Sequence, residues 1–89
     1  MKILRFGADW CPACLVMRSI WSKVEALAPW LTSEYYDYDA SEEAVKKFAV
    51  DDKLPTFIFL DNKDQEILRL QGEFSADKLL EVINKHKDK

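Results

Sequence analysis

The chain has two cysteines, Cys11 and Cys14, in the run Trp10-Cys11-Pro12-Ala13-Cys14. Two thiols at this spacing can alternate between a dithiol and a disulfide, so the chemistry they suggest is thiol–disulfide exchange. The residues before Cys11 read as strand and those after it as helix, which places Cys11 at a helix N-terminus. Free N–H groups and the positive end of the helix dipole favour a thiolate there, and the thiolate is the nucleophile. Cys14 falls one turn further along, on the apolar stripe of the same helix. The expectation is therefore an outward, electron-rich Cys11 that attacks first and a shielded Cys14 that resolves. Pro12 suits the first helical turn, where its missing N–H costs nothing and its φ is already helical. It also stiffens the link between the two sulfurs.

Three other readings compete. The cysteines could be small buried hydrophobes, but that is a poor account of a C-x-x-C at a strand-to-helix junction in a small α/β chain. A zinc site needs four ligands and this motif supplies two. The single histidine, His86, lies in a lysine-rich C-terminal turn where a solvated cation explains it better. A fixed structural disulfide closing so short a loop removes little chain entropy.

The elements that must position this pair follow from periodicity. Ile3, Leu4 and Phe6 form a short apolar run ended by Gly7, enough for one buried strand. Helical spacing runs from Pro12 to Ala28, with Cys14, Met17, Ile20, Trp21, Val24, Leu27 and Ala28 on one stripe. Arg18, Ser22 and Glu25 lie opposite, and Pro29 stops the helix. Tyr35, Tyr36 and Tyr38 suit a second strand. Ser41-Glu42-Glu43 opens a second helix with a capping hydroxyl and acidic first turn, whose apolar face is Ala44, Val45, Phe48 and Ala49. The run Pro55 to Leu60 reads as a strand covered on both faces. Asp61 to Asp64 forms a turn, Glu66 to Leu70 a hairpin partner, and Gly72 ends it. A last helix starts near Ser75, with Ala76, Leu79, Leu80 and Ile83 inward and Lys85, His86 and Lys87 where the dipole favours cations. The order is βαβαββα, a four-stranded mixed sheet with helices on both faces.

At 89 residues the chain is one domain, 1–89, with 13 basic and 16 acidic side chains and a net charge of −3. That balance argues against a nucleic-acid partner, which needs a concentrated basic surface. Eleven aromatic residues among three Trp, three Tyr and five Phe argue against disorder. No apolar run approaches the ~20 residues of a membrane span, and the start lacks the pattern of a secretory signal. The expected address is cytoplasmic, and a monomer is expected.

With these pieces in place, the chain resembles the thioredoxin family over nearly its whole length. The resemblance rests on Phe6-Gly7-Ala8-Asp9-Trp10-Cys11-Pro12-Ala13-Cys14, on Leu54-Pro55-Thr56 opening a buried strand, and on Gly72 before the last helix. It is similar to the short, glutaredoxin-sized form of that fold. The resemblance implies a cis peptide before Pro55, packed beside the sulfurs, and a Leu54 backbone able to pair with an extended substrate. Trp10 is then expected at the rim, contacting substrate, whereas Trp21 and Trp30 are expected to pack in the core.

Two positions depart from the family pattern. Arg5 stands where thioredoxins usually carry a buried aspartate, and Tyr35 where they often carry a lysine. An arginine in that strand must reach an edge or pair with an acid. Pro12-Ala13 resembles glutaredoxins and oxidising members, yet Gln71-Gly72-Glu73-Phe74-Ser75 lacks the double glycine with which glutaredoxins hold glutathione. Asp51 and Asp52 would repel the carboxylates of glutathione, although a solvated acidic turn explains them equally well.

The function implied is a thiol–disulfide oxidoreductase that reduces disulfide-containing protein substrates without a bound cofactor or metal. Its external electron donor is expected to be thioredoxin reductase rather than glutathione. The alternatives are a glutathione-dependent, glutaredoxin-like reductase and a redox-inactive binding module of the same fold.

Overall fold

The computed structural model describes residues 1–88. Its elements are β1 (Lys2–Gly7), α1 (Pro12–Leu27), β2 (Thr32–Asp37), α2 (Glu42–Lys47), β3 (Thr56–Leu60), β4 (Glu66–Gln71) and α3 (Ala76–His86), the βαβαββα order expected. The strands form one sheet in the order β2-β1-β3-β4. β1 and β2 run parallel, which requires the crossover supplied by α1. β1 and β3 are antiparallel, as are β3 and β4, the latter pair with a register shift at Phe59/Leu60.

Alternation along the two central strands divides the core into two layers. Ile3 of β1 and Phe57 and Phe59 of β3 pack with Met17, Trp21 and Val24 of α1 and Leu79 and Ile83 of α3. Leu4, Phe6, Ile58 and Leu60 point the other way, against Val50 and the half-buried Ala44, Val45 and Phe48 around α2. Every residue of β3 is buried, as a strand covered on both faces requires. β2 and β4 are the edges and are only partly covered.

Several local expectations need correction. Leu27, the last residue of α1, is exposed, and the buried stripe runs from Val24 to Ala28 without it. Trp30 is 50 % exposed rather than packed in the core, since it sits in the turn after Pro29. Tyr38 lies just past β2, where its N–H donates to the Gly7 carbonyl at 2.7 Å. Ser41 occupies the N-cap of α2, but its φ and ψ of −117° and 53° give no side-chain cap bond among the described residues. The α2 helix is six residues long, and Ala49 leaves it at φ 51°, so it is exposed and not part of the apolar face. Ser75, by contrast, caps α3 by accepting from the Lys78 N–H at 3.1 Å.

Candidate active site

The sheet delivers the motif to its upper edge. β1 ends at Gly7, the chain turns through Ala8 to Trp10, and α1 begins with Cys11 as its N-cap. Cys11 is extended, with φ −100° and ψ 109°, while Pro12 opens the helix. Its Sγ accepts a hydrogen bond from the Cys14 N–H at 3.2 Å. The Cys14 and Leu15 N–H groups also reach the Cys11 carbonyl, at 3.1 and 3.3 Å. A sulfur thus does what an N-cap oxygen ordinarily does, accepting from an amide of the first helical turn that it shares with the Cys11 carbonyl. The first turn of α1 carries no acidic residue to oppose a thiolate there.

The sulfurs are free thiols, and the expected contrast in exposure between them is not found. Cys11 is 5 % exposed and Cys14 4 %. Both pack with Ala8 in one small cluster that Ala13, Tyr38 and Leu54 cover in part. Leu54 closes over the pair in a way that local sequence pattern does not reveal. The asymmetry lies in hydrogen bonding and in the environment of Cys14. Burial, foremost, and the adjoining Cys11 thiol push the Cys14 thiol up to about 11, against the opposing pull of the Ala8 backbone and the Arg18 charge. A proton therefore leaves Cys14 reluctantly, while Cys11 has the helix amide aimed at its sulfur.

The other anticipated site residues divide in two. Leu54 and Pro55 join the cysteines: Leu54 packs on the sulfur cluster, and Pro55 is buried and lines the same narrow cleft as Cys14. The Leu54–Pro55 peptide is cis. Its setting is fixed by the Pro55 carbonyl, which accepts from the Gly72 N–H at 2.9 Å. The Leu54 N–H is already donated to Asp52 at 3.1 Å, so a pairing substrate would meet its carbonyl instead. Pro12 and Trp10 lie outside the cluster, on the exposed rim. Trp10 is 57 % exposed, and its indole N–H donates to Asp39 Oδ2 at 2.8 Å, holding the ring beside the motif.

Arg5 resolves as expected for an arginine in a central strand: it is paired. Its Nε donates to Ser33 Oγ at 2.8 Å and its guanidinium lies 3.5 Å from Glu25. Trp21 and Tyr35 flank it with ring centroids at 5.8 and 5.6 Å. Burial lowers its basicity, and Glu25 opposes that.

Three residues near the sulfurs escaped sequence reading: Asp9 as a partner for Arg18, Asp39 as a partner for Trp10, and Tyr35 as a neighbour of Cys14. Gly7 explains the last. A Cβ there would stand 3.1 Å from the Tyr35 hydroxyl and 3.4 Å from Cys14 Cβ, so the tyrosine occupies the space a side chain at position 7 would fill. A groove of about 670 Å³ lies on the α2 face, bordered by Leu4, Tyr36 and Phe48, and neither thiol lines it.

A buried dithiol capping the first helix of an α/β sheet, with a cis-proline loop beside it, defines a thiol–disulfide exchange site. The thioredoxin sequence profile matches residues 1–85. A thioredoxin from Chlamydia muridarum is 33% identical over 87 residues, covering 97% of this chain and 82% of that protein. Among solved structures, thioredoxin-2, described as a component of malaria parasite protein secretion machinery, superposes with a TM-score of 0.88 at 30% identity, over 96% of this chain and 82% of the other. Thioredoxin 1 from Thermosipho africanus superposes at 0.83 with 25% identity, over 99% and 96% of the two chains. The chain belongs to the thioredoxin family, and its general activity is thiol–disulfide oxidoreduction.

Proposed function

We propose that this protein reduces disulfides in other proteins, with Cys11 as nucleophile and Cys14 as resolving thiol. The observation that supports these roles is the Cys14 N–H donated to Cys11 Sγ at 3.2 Å, which stabilises negative charge on Cys11 and not on Cys14. Cys11 thiolate attacks one sulfur of a substrate disulfide. A Cys11–substrate bond forms, the substrate S–S bond breaks, and its electron pair leaves on the other substrate sulfur, which takes up a proton. Deprotonated Cys14 then attacks Cys11 Sγ, closing the Cys11–Cys14 disulfide and releasing the second substrate thiolate. The substrate gains two electrons and the protein loses two. Trp10, Pro12, Leu54 and Pro55 form the substrate contact around Cys11, with the Leu54 carbonyl accepting from an extended segment.

An external donor returns the electrons. We assign this to a thioredoxin reductase rather than glutathione, because the Gln71–Ser75 segment lacks a glutathione-holding glycine step and Asp51 and Asp52 are exposed acids near it. No bound cofactor enters the scheme. The test is reduction of insulin by dithiothreitol with catalytic amounts of protein. The parent accelerates precipitation of the freed chains and Cys11→Ser does not. Equal behaviour of the two would favour a binding module whose cysteines are idle. Faster recycling by glutathione than by thioredoxin reductase would overturn the donor assignment.

A further inference from the structure

We propose that Arg18, seated against Asp9 and Tyr35, is a positioning residue that eases proton loss from Cys14 in the resolving step. This rests on the reading above, in which Cys14 attacks Cys11. Arg18 is not opposite Cys14, as the apolar stripe of α1 led one to expect: it follows Cys14 by four residues, so the two side chains are neighbours on consecutive turns and line the same cleft. The Arg18 guanidinium is not free to wander. It meets Asp9 Oδ1 at 2.7 Å and lies 5.9 Å from the Tyr35 ring centroid. Tyr35 in turn overhangs Gly7, with its hydroxyl 3.1 Å and Cys14 Cβ 3.4 Å from the place a Gly7 Cβ would occupy. Arg18, Tyr35, Gly7 and Cys14 therefore wall one narrow cleft.

The charges facing that cleft favour a thiolate. Of the groups that line it, β1 contributes Arg5, α1 Arg18 and β2 Tyr35, while Asp9 of the loop after β1 meets Arg18 from outside and Cys11 and Tyr38 pack against Cys14 in the sulfur cluster. From β3 and its lead-in come Pro55 and Phe57, which carry no charge. Arg5 is turned toward Glu25 and Ser33. Asp9, 89 % exposed, is solvated and committed to Arg18. Arg18 is thus the charge best placed to act on the buried Cys14 sulfur, and a neighbouring cation stabilises a thiolate.

In the step itself Arg18 neither gives nor takes the proton. Cys14 loses its proton to solvent base. Its thiolate bonds to Cys11 Sγ, the Cys11–substrate bond breaks, and the electron pair leaves on the substrate sulfur, which is then protonated. Arg18 lowers the energy of the thiolate before attack.

The experiment starts from the protein carrying a Cys11–thionitrobenzoate mixed disulfide and follows release of the thionitrobenzoate as a function of pH. In Arg18→Gln the profile moves to higher pH by about 0.5, less than a close buried charge would give, because Arg18 is half exposed and paired with Asp9. Such a move cuts the thiolate fraction about threefold at neutral pH, and the more basic thiolate recovers part of that, leaving release about twofold slower. Arg18→Lys restores the profile, and alkylation of Cys11 by iodoacetamide keeps its own pH profile in all three proteins. As a readout independent of turnover, the ultraviolet thiolate absorbance of Cys14 is titrated in a Cys11→Ser background with and without Arg18→Gln. The midpoint is higher without the arginine. An unmoved midpoint and release profile in an active protein overturn the role of Arg18 alone, as does an equal displacement of Cys11 alkylation. A parent that never releases thionitrobenzoate overturns the resolving role of Cys14, and the present proposal with it.

Discussion

The burial of Cys14 makes a sharp kinetic prediction for the resolving step. With the thiol pushed up to about 11, the thiolate is about one part in ten thousand at pH 7. Once Cys11 is held in a mixed disulfide, its own thiol no longer contributes to that elevation. Burial, the larger cause, remains. The raised value means that the reactive form is gained as pH rises, so release of a leaving thiol from Cys11 should climb about tenfold per pH unit from pH 6 to 9 without levelling. An ordinary thiol near ~8.5 would gain only about threefold between pH 8 and 9, because most of it is ionised by then. The assay is stopped-flow release of thionitrobenzoate from the preformed Cys11 adduct, with Cys14→Ser as the blank. A profile that flattens at or below pH 8.5 refutes the reasoning, since it means the folded protein leaves Cys14 as acidic as a solvated thiol.

Other consequences follow from contacts elsewhere. Ser75→Ala should lower unfolding stability by about 1 kcal/mol in urea with an unchanged m value, through loss of the α3 cap, whereas Ser41→Ala should be close to neutral because its hydroxyl makes no cap bond. Asp39→Ala frees the Trp10 indole and should raise KM for insulin several-fold while reaction with a small aromatic disulfide is unchanged; an equal effect on both would deny Trp10 a substrate-orienting role. Glu25→Ala removes the counterion of a largely buried guanidinium and should cost about 1 kcal/mol in the same urea experiment, and Lys46→Ala, in an exposed pair with Glu42, should change nothing measurable.

Much of this architecture was readable in advance because it depends on local pattern. The continuous apolar run of β3, the stripe of α1 and the Gly72 stop each follow from side-chain periodicity or backbone freedom, and together they imply the sheet that carries the motif. The C-x-x-C was legible for the same reason: its position at the strand-to-helix junction is a property of ten consecutive residues. What local pattern misses is tertiary. Cys11 looked outward, as an N-cap residue should, until Leu54 and Tyr38 were brought over it from distant parts of the chain. Trp30 looked like core because tryptophan usually is, but the turn after Pro29 leaves it at the surface. Arg5 could be assigned only a choice of fates, and the packing of α1 over the sheet, which brings Glu25 to its guanidinium, decided among them. The company kept by Arg18, Tyr35 and Cys14 needed the parallel register of β1 and β2 together with the bare backbone of Gly7.

The unequal roles of two equally buried sulfurs are tested most directly by trapping. Cys14→Ser and Cys11→Ser variants are each incubated with a disulfide-bonded protein substrate, quenched in acid and weighed by intact-mass spectrometry. The account predicts a covalent one-to-one adduct through Cys11 in Cys14→Ser, discharged by added dithiol, and no adduct in Cys11→Ser. Adducts of similar yield in both variants, or one through Cys14 alone, would contradict it.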